Sequence, residues 1–361
     1  MAQRDKIKCM ALTYSKFKHG TMVLILTIQI GGNDHDTEIF VEDIRVAVDK
    51  HGVDDKAALK EDIDQPIIIW WTPFTGEQGS YKTCGDVFMF YGTDLKEYDL
   101  PLPRLPDHEW GLLHEESPKN NYLFSHQEVM TLFNHTCTFK RESTYPITTQ
   151  YVESIKWLED TKYMVPVKEK NKLLSELSPI IYTQTDCDTP SDRDTYVKLL
   201  MKYIHIDAYG TCLHNKDLPK HLQDPLKGMD DKDFYKINGK YKFTIAMENG
   251  ICNDYITEKV WRPLVTGSIP IIFGSPKIQD FLPSNQSAII IDKFKDIESV
   301  AKFIKYLNDH DEEYEKYRNW KRTGITNQNL KNIMKNRGWS INNNWKDNEY
   351  NFIDGFRVPY L

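Results

Sequence analysis

Residues 241–273, YKFTIAMENGICNDYITEKVWRPLVTGSIPIIF, hold an apolar run, a polar turn, an amphipathic stretch and a second apolar run. Ile256, Val260 and Leu264 recur every fourth position and so share one helical face. The pattern predicts strand, turn, helix and strand, the repeating unit of a parallel α/β sheet. Glu248, Asn249 and Asp254 crowd the turn, and Glu258 and Lys259 fall near the start of the helix. Backbone N–H groups and the macrodipole favour an anion at that end. An acid able to grip a sugar diol, beside a cation able to hold phosphate, points to a sugar-nucleotide site.

The bulk properties agree with an enzyme-sized globular chain. Its 361 residues are enough for two or three domains. A 40% apolar and 12% aromatic content belongs to a packed protein, not a disordered one. A net charge of −7 argues against nucleic acid as a partner, which calls for a basic surface. The six cysteines (Cys9, Cys84, Cys137, Cys187, Cys212, Cys252) are scattered without a Cys-x-x-Cys pair, so no structural zinc site is expected. Spacing does not reveal their pairing. In an oxidising lumen some would form disulfides; in cytosol they would be buried thiols.

Outward from 241–273, the alternation continues in both directions. At the N-terminus Arg4, Lys6, Lys8, Lys16 and Lys18 precede the apolar run 22–30. That run is well short of the roughly 20 residues that cross a bilayer. It reads equally as the apolar part of a secretion signal or as a buried strand. Residues 31–65 are acidic and weakly patterned, like a stem. Strands are predicted at 66–71, 87–91 and 110–113. Helical spacing of Tyr151, Val152, Ile155 and Leu158 leads into a charged stretch ending near Lys172, which marks the expected domain boundary.

Beyond it, 180–182 reads as a strand. Ser191 can cap a helix, with Asp194 three positions on and an apolar face of Val197, Leu200, Met201 and Ile204. After 241–273 come a strand at 288–291 and a helix with Ile297, Val300, Ala301, Ile304 and Leu307 on one side. Tyr314, Tyr317 and Trp320 predict another helix, and the Asn- and Lys-rich chain past Asn327 reads as loose. The expected division is a leader and stem over 1–65, a first Rossmann-like domain over 66–172, a nucleotide-binding one over 173–335, and a tail over 336–361.

Phe243, Glu248-Asn249, the run from Asp254 through Tyr255 to Glu258-Lys259, Trp261, and Gly267 with Pro270 together resemble the donor signature of the alpha-1,3-fucosyltransferase family, glycosyltransferase family 10. WWTPFTGE at 70–77, HEESPKNN at 114–121 and SDRDTYV at 191–197 resemble its divergent subgroup linked to protein O-fucosylation. The likeness spans residues 66–350 or so. It implies the GT-B arrangement, two Rossmann-like domains facing across a cleft. It also implies GDP-fucose as donor, inversion at the sugar, no essential metal or other cofactor, and a secretory-pathway enzyme (Golgi or endoplasmic reticulum) with a membrane-proximal N-terminus. The acceptor is left between a GlcNAc-containing glycan and a Ser/Thr hydroxyl of a protein.

The same resemblance assigns roles. Glu116 aligns with the general base, with the adjacent Glu115 as runner-up. Arg193 and Lys259 become the diphosphate clamp, and Glu258 the ligand of the ribose hydroxyls. Glu248 and Asn249 would reach fucose or diphosphate, and Tyr255 is either a hydroxyl contact or half-buried packing. Spacing alone reads them more plainly: Arg193 as a surface partner of Asp192 or Asp194, Lys259 as an exposed helix charge, Glu116 as a turn residue. The Asp186-Cys187-Asp188 triplet reads as a turn, not a metal motif, and His114 has no assigned role. Two sequons, at Asn134 and Asn285, fit a lumenal protein. The subgroup carries a longer stretch between Cys84-Gly85 and Phe88. Its shortening here motivates the alternative of a non-catalytic descendant that binds a GDP-sugar or glycan.

Overall fold

The computed structural model describes residues 87–106 and 108–337, with further strands at Lys6–Lys16, Met22–Gly31, Ile68–Thr72, Ser340–Ile341 and Phe352–Ile353. All but the first residue of the expected stem over 31–65, the end of WWTPFTGE, Cys84-Gly85 and nearly all of the tail lie outside the described residues. The apolar run at 22–30 forms the strand Met22–Gly31, antiparallel to Lys6–Lys16. Among the described residues no helix is long and apolar enough to cross a membrane.

The chain divides into two compact units. One holds the Ile68–Thr72 strand with residues 87–115 and 123–147; the other holds 116–122 and 148–336. In the first, Ile68–Thr72, Val87–Tyr91, Glu109–His114 and His135–Thr138 form a four-stranded parallel sheet in sequence order. Phe88, Phe90, Trp110, Leu112 and Phe133 pack as its core. Near-continuous apolar runs are what a parallel sheet covered on both faces requires. The strand His135–Thr138 was not predicted, because HTCT is short and polar.

The second unit is a five-stranded parallel sheet. Its order is Ile289–Ile290, Ile269–Phe273, Phe243–Met247, Ile180–Gln184, Ile206–Gly210. Side chains alternate across it as strand geometry demands. Phe243, Ile245 and Met247 join Val197, Leu200, Val300 and Ile304 on one face. Ala246 lies with Val260, Trp261 and Leu264 on the other. Strand order reverses between Ile180–Gln184 and Phe243–Met247. In open α/β sheets, ligands bind beyond the carboxyl ends of the strands flanking such a reversal.

Several expectations are corrected here. The boundary falls between 147 and 148, not at 172. Val152 and Leu158 are fully buried in the second unit's core. The charged stretch is no linker: Lys170 is buried, and its ammonium donates to the carbonyls of Tyr241 at 2.6 Å and Gly267 at 3.0 Å. Ser191 does not cap the Arg193–Leu200 helix. Asp192 holds the N-cap position in the left-handed region (φ 51°) without a side-chain bond, and Ser191 Oγ donates to the Glu248 carbonyl at 2.7 Å. The chain past Asn327 is the helix Gln328–Asn336, with Leu330 fully buried. Asn327 anchors it by donating to the carbonyls of Gln279, Asp280 and Leu282. The single helix expected around Tyr314 and Trp320 is two short ones, Asp311–Lys316 and Trp320–Thr323.

Candidate active site

Every residue assigned to the donor or to catalysis lies in the second unit, including Glu116, which had been placed in the other domain. They gather at the switch point. Arg193 opens the helix after strand Ile180–Gln184, and Glu248 and Asn249 follow strand Phe243–Met247.

The helix that carries the signature is Glu258–Thr266, so Glu258 and Lys259 are its first two residues. Thr257 is its N-cap, accepting from the Lys259 amide and, at 3.1 Å, from the Lys259 ammonium. The other end closes on Gly267, whose φ of 69° only glycine adopts without strain. There, the buried Nζ atoms of Lys321 and Lys170 donate to the Val265 carbonyl at 2.9 Å and the Gly267 carbonyl at 3.0 Å, and burial pulls both amines below the ordinary lysine value. The helix is therefore held from both ends with its N-terminus at the switch point.

Glu248 is 1% exposed. Its Oε1 accepts from the Thr257 amide at 2.8 Å, Thr257 Oγ1 donates to it as well, and Lys259 Nζ stands 3.7 Å from Oε2. Burial pushes its carboxyl above the ordinary value despite Lys259. Gly274 makes room for it: a Cβ there would lie 3.0 Å from Glu248 Cγ. Lys259 Nζ also pairs with Glu258 Oε1 at 3.0 Å, and these two side chains keep 17% and 15% exposure. Glu248 thus orients the helix N-terminus, while Lys259 and Glu258 remain able to touch a ligand.

Burial opposes ionisation of Glu258, but the Lys259 ammonium and the Arg262 guanidinium one turn on outweigh it and hold the carboxyl at about 2. For Lys259, burial lowers and the two glutamates raise, leaving it above its ordinary 10.5. The signs give a window. A carboxyl with a depressed folded pKa contributes stability above about 4.3 that is lost as pH falls toward 2. A lysine with a raised pKa contributes below 10.5 and loses it above. Between pH 5 and pH 3 the wild type should lose about 2 kcal/mol more stability than Glu258→Gln. Denaturant melts of both at the two pH values check this; parallel losses would mean the pair carries no net stability.

Arg193 is 1% exposed. Its Nη1 donates to the Met247 carbonyl at 3.1 Å and its Nη2 to the Asp186 carbonyl at 2.7 Å, joining the ends of the two switch-point strands. The surface pairing with Asp192 or Asp194 is not what holds it; Asp194 instead accepts from Tyr182 at 2.6 Å. Arg193 donates to the carbonyl of Met247, next in the chain to Glu248, whose carboxylate lies 3.7 Å from Lys259 Nζ, so the two cations share one locality.

Residues 116–119 lie against this cluster. Tyr255 is 1% exposed, and its hydroxyl donates to Glu116 Oε2 at 3.0 Å. Ser117 Oγ donates to Asn249 Oδ1 at 2.8 Å, and Lys119 Nζ pairs with Asp186. Burial, then the Glu116 charge, pushes the Tyr255 phenol well up. Glu115, the runner-up, is buried in the first unit and accepts from the Tyr91 hydroxyl at 2.6 Å.

Sequence reasoning singled out Asp186 only as a turn and gave no role to Thr257, Ser117 or Lys119. A threonine immediately before Glu-Lys and an apolar face is an N-cap signal that could have been used; the contacts of Ser117 and Lys119 leave no local trace. Cys187 and Cys212 are disulfide-bonded. His114 is buried against Phe124. Asn134 is exposed, with Oδ1 accepting from the Trp110 amide, and Asn285 is exposed in a turn. Among the described residues the acid–histidine grouping with metal-ligand spacing is His221, Asp231 and Asp233, which includes none of the donor residues.

Comparison with known proteins gives three results. The model of glycosyltransferase family 10 (fucosyltransferase), C-terminal part, matches residues 167–345. Proteins called GDP-fucose protein O-fucosyltransferase 3 are similar: that of Gallus gallus is 50% identical over 310 residues, 81% of this chain and 64% of its own. That of Danio rerio is 46% identical, covering 87% of this chain and 70% of the relative. The Homo sapiens protein is 46% identical, with 85% and 67% covered. This chain thus spans about two thirds of the length of these relatives. A crystal structure of an alpha1,3-fucosyltransferase with GDP-fucose aligns at 16% identity and a TM-score of 0.44, over 70% of this chain and 77% of that one.

Proposed function

This chain belongs to glycosyltransferase family 10, the fucosyltransferases, and from that premise we propose that it moves L-fucose from GDP-fucose, with inversion, to a Ser/Thr hydroxyl of a protein. The observation that carries the proposal is the Glu258–Lys259 helix N-terminus beside buried Arg193, with Glu116 tied to the same cluster through Tyr255. Relatives called protein O-fucosyltransferases favour a protein over a free glycan as acceptor.

In this reading Lys259, at a helix terminus whose dipole favours an anion, neutralises charge growing on the departing GDP, with Arg193 adding to the local field. Glu258 accepts from the ribose hydroxyls. Glu116 takes the proton from the acceptor hydroxyl as its oxygen attacks the sugar carbon opposite the leaving diphosphate. Glu248, Thr257 and Tyr255 orient these groups and do not touch the donor. No residue of the cluster requires a metal for these tasks, so activity should survive chelation. The Cys187–Cys212 disulfide supports residence in an oxidising compartment, the secretory pathway.

The test is purified protein with labelled GDP-fucose and a panel of folded protein domains and free N-glycans. Transfer to a domain at Ser or Thr is the expected result. Transfer only to glycans would overturn the acceptor, and equal thermal stabilisation by UDP-sugars would overturn the donor. Donor binding without turnover on either acceptor class would favour the non-catalytic alternative.

A further inference from the structure

The Asp186 carboxylate stands between two cations. Its Oδ1 is paired with Lys119 Nζ, while its Oδ2 lies 3.8 Å from Arg193 Nη2. A hydrogen-bonded arginine–carboxylate pair closes to about 2.8 Å, so at this separation Asp186 and Arg193 form an open ion pair without a hydrogen bond between their charged groups. What Arg193 does hold is the Asp186 backbone carbonyl.

Both partners of this gap are fixed. Cys187, next along the chain, is cross-linked to Cys212, and Thr211 Oγ1 donates to the Thr185 carbonyl at 2.9 Å. The backbone on either side of Asp186 is thereby pinned to the loop after strand Ile206–Gly210. Lys119 is held by its neighbours: Glu116 by Tyr255, Ser117 by Asn249, and the Lys119 amide by Ser117 Oγ at 3.3 Å. The freedom left is a turn of the Asp186 side chain, toward Lys119 or toward Arg193.

We propose that Lys119 is a positioning residue for donor binding. By holding the Asp186 carboxylate to itself, it keeps that carboxylate from closing on Arg193 and leaves the Arg193 charge to act on the donor diphosphate. The proposal rests on the fucosyltransferase reading above and extends it to a residue that need not touch the donor.

Three variants test it, with GDP-fucose affinity read by calorimetry and kcat read at saturating donor. Lys119→Met should weaken GDP-fucose binding about fivefold, the scale of one partly exposed charge pair, with kcat nearly unchanged. Asp186→Asn should bind at least as tightly as wild type, because no carboxylate remains to neutralise Arg193. The double variant should match Asp186→Asn. Wild-type affinity in Lys119→Met, or weaker binding in Asp186→Asn, overturns the proposal. So does a Lys119→Met effect that persists in the Asp186→Asn background, which would mean that Lys119 contacts the phosphates directly. The Asp186→Asn measurement stands even if Lys119→Met does not fold. Failure of the wild type to bind GDP-fucose would sink the fucosyltransferase reading as well, and so is told apart from failure of the Lys119 role alone.

Discussion

Glu116→Gln is expected to lower kcat by about 10²–10⁴-fold while GDP-fucose affinity stays within about twofold of wild type. Glutamine has the shape of glutamate and retains an oxygen to accept from the Tyr255 hydroxyl, so the bond seen at 3.0 Å survives. On the proposed mechanism, what is lost is the ability to receive a proton as the acceptor oxygen attacks. The loss corresponds to about 3–5 kcal/mol of barrier. Glu115→Gln is the internal control. That carboxylate is buried in the first unit and already accepts from Tyr91, so its replacement should reduce stability far more than it changes kcat. Turnover of Glu116→Gln above a tenth of wild type would show that another group takes the proton.

Arg193→Ala is expected to abolish measurable donor binding and also to destabilise the second unit by on the order of 3 kcal/mol. Spacing alone would predict a clean loss of affinity with the fold intact. Burial changes that expectation. The guanidinium is 1% exposed and donates to the carbonyls of Met247 and Asp186, each at the end of a switch-point strand. Alanine leaves both acceptors unmet and opens a void beneath the Arg193–Leu200 helix. Arg193→Lys separates the two roles. It keeps the charge but cannot span both carbonyls with a planar fork, so it should recover part of the affinity and little of the stability. A melting midpoint for Arg193→Ala equal to wild type would mean that the buried bonds carry no weight.

The donor signature was legible because its residues are neighbours in sequence. Glu258 and Lys259 had to open a helix, since Val260 and Leu264 set the face that Trp261 and the 243–247 strand bury. Strong periodicity likewise marked the Ile297–Asp309 helix. Weak signals failed where polar residues build structure. Asp207 lies in the strand Ile206–Gly210 because Ser178, Lys216 and Tyr241 all donate to it, and that shelter also depresses its carboxyl below the usual range against the cost of burial. Lys170 reads as a linker charge and is a buried clamp. Asn327 reads as the start of a loose tail and is an anchor for three carbonyls. In each case a polar side chain satisfies backbone or buried groups supplied from far along the chain.

The family, the α/β class, the helix that opens with Glu258 and Lys259 and the identity of the charged residues follow from sequence alone, because each rests on residue types at short spacing. Tertiary structure decided which of those charges are spent and which are available. Glu248 and Tyr255 turn inward onto Thr257 and Glu116, while Lys259 and Glu258 keep open surface. It also decided that residues 116–119 pack with Asn249 and Tyr255 and that Asp186 lies between Lys119 and Arg193. Such facts depend on contacts between segments tens to more than a hundred residues apart. Local propensity carries no information about them; packing and the pairing of buried charge do.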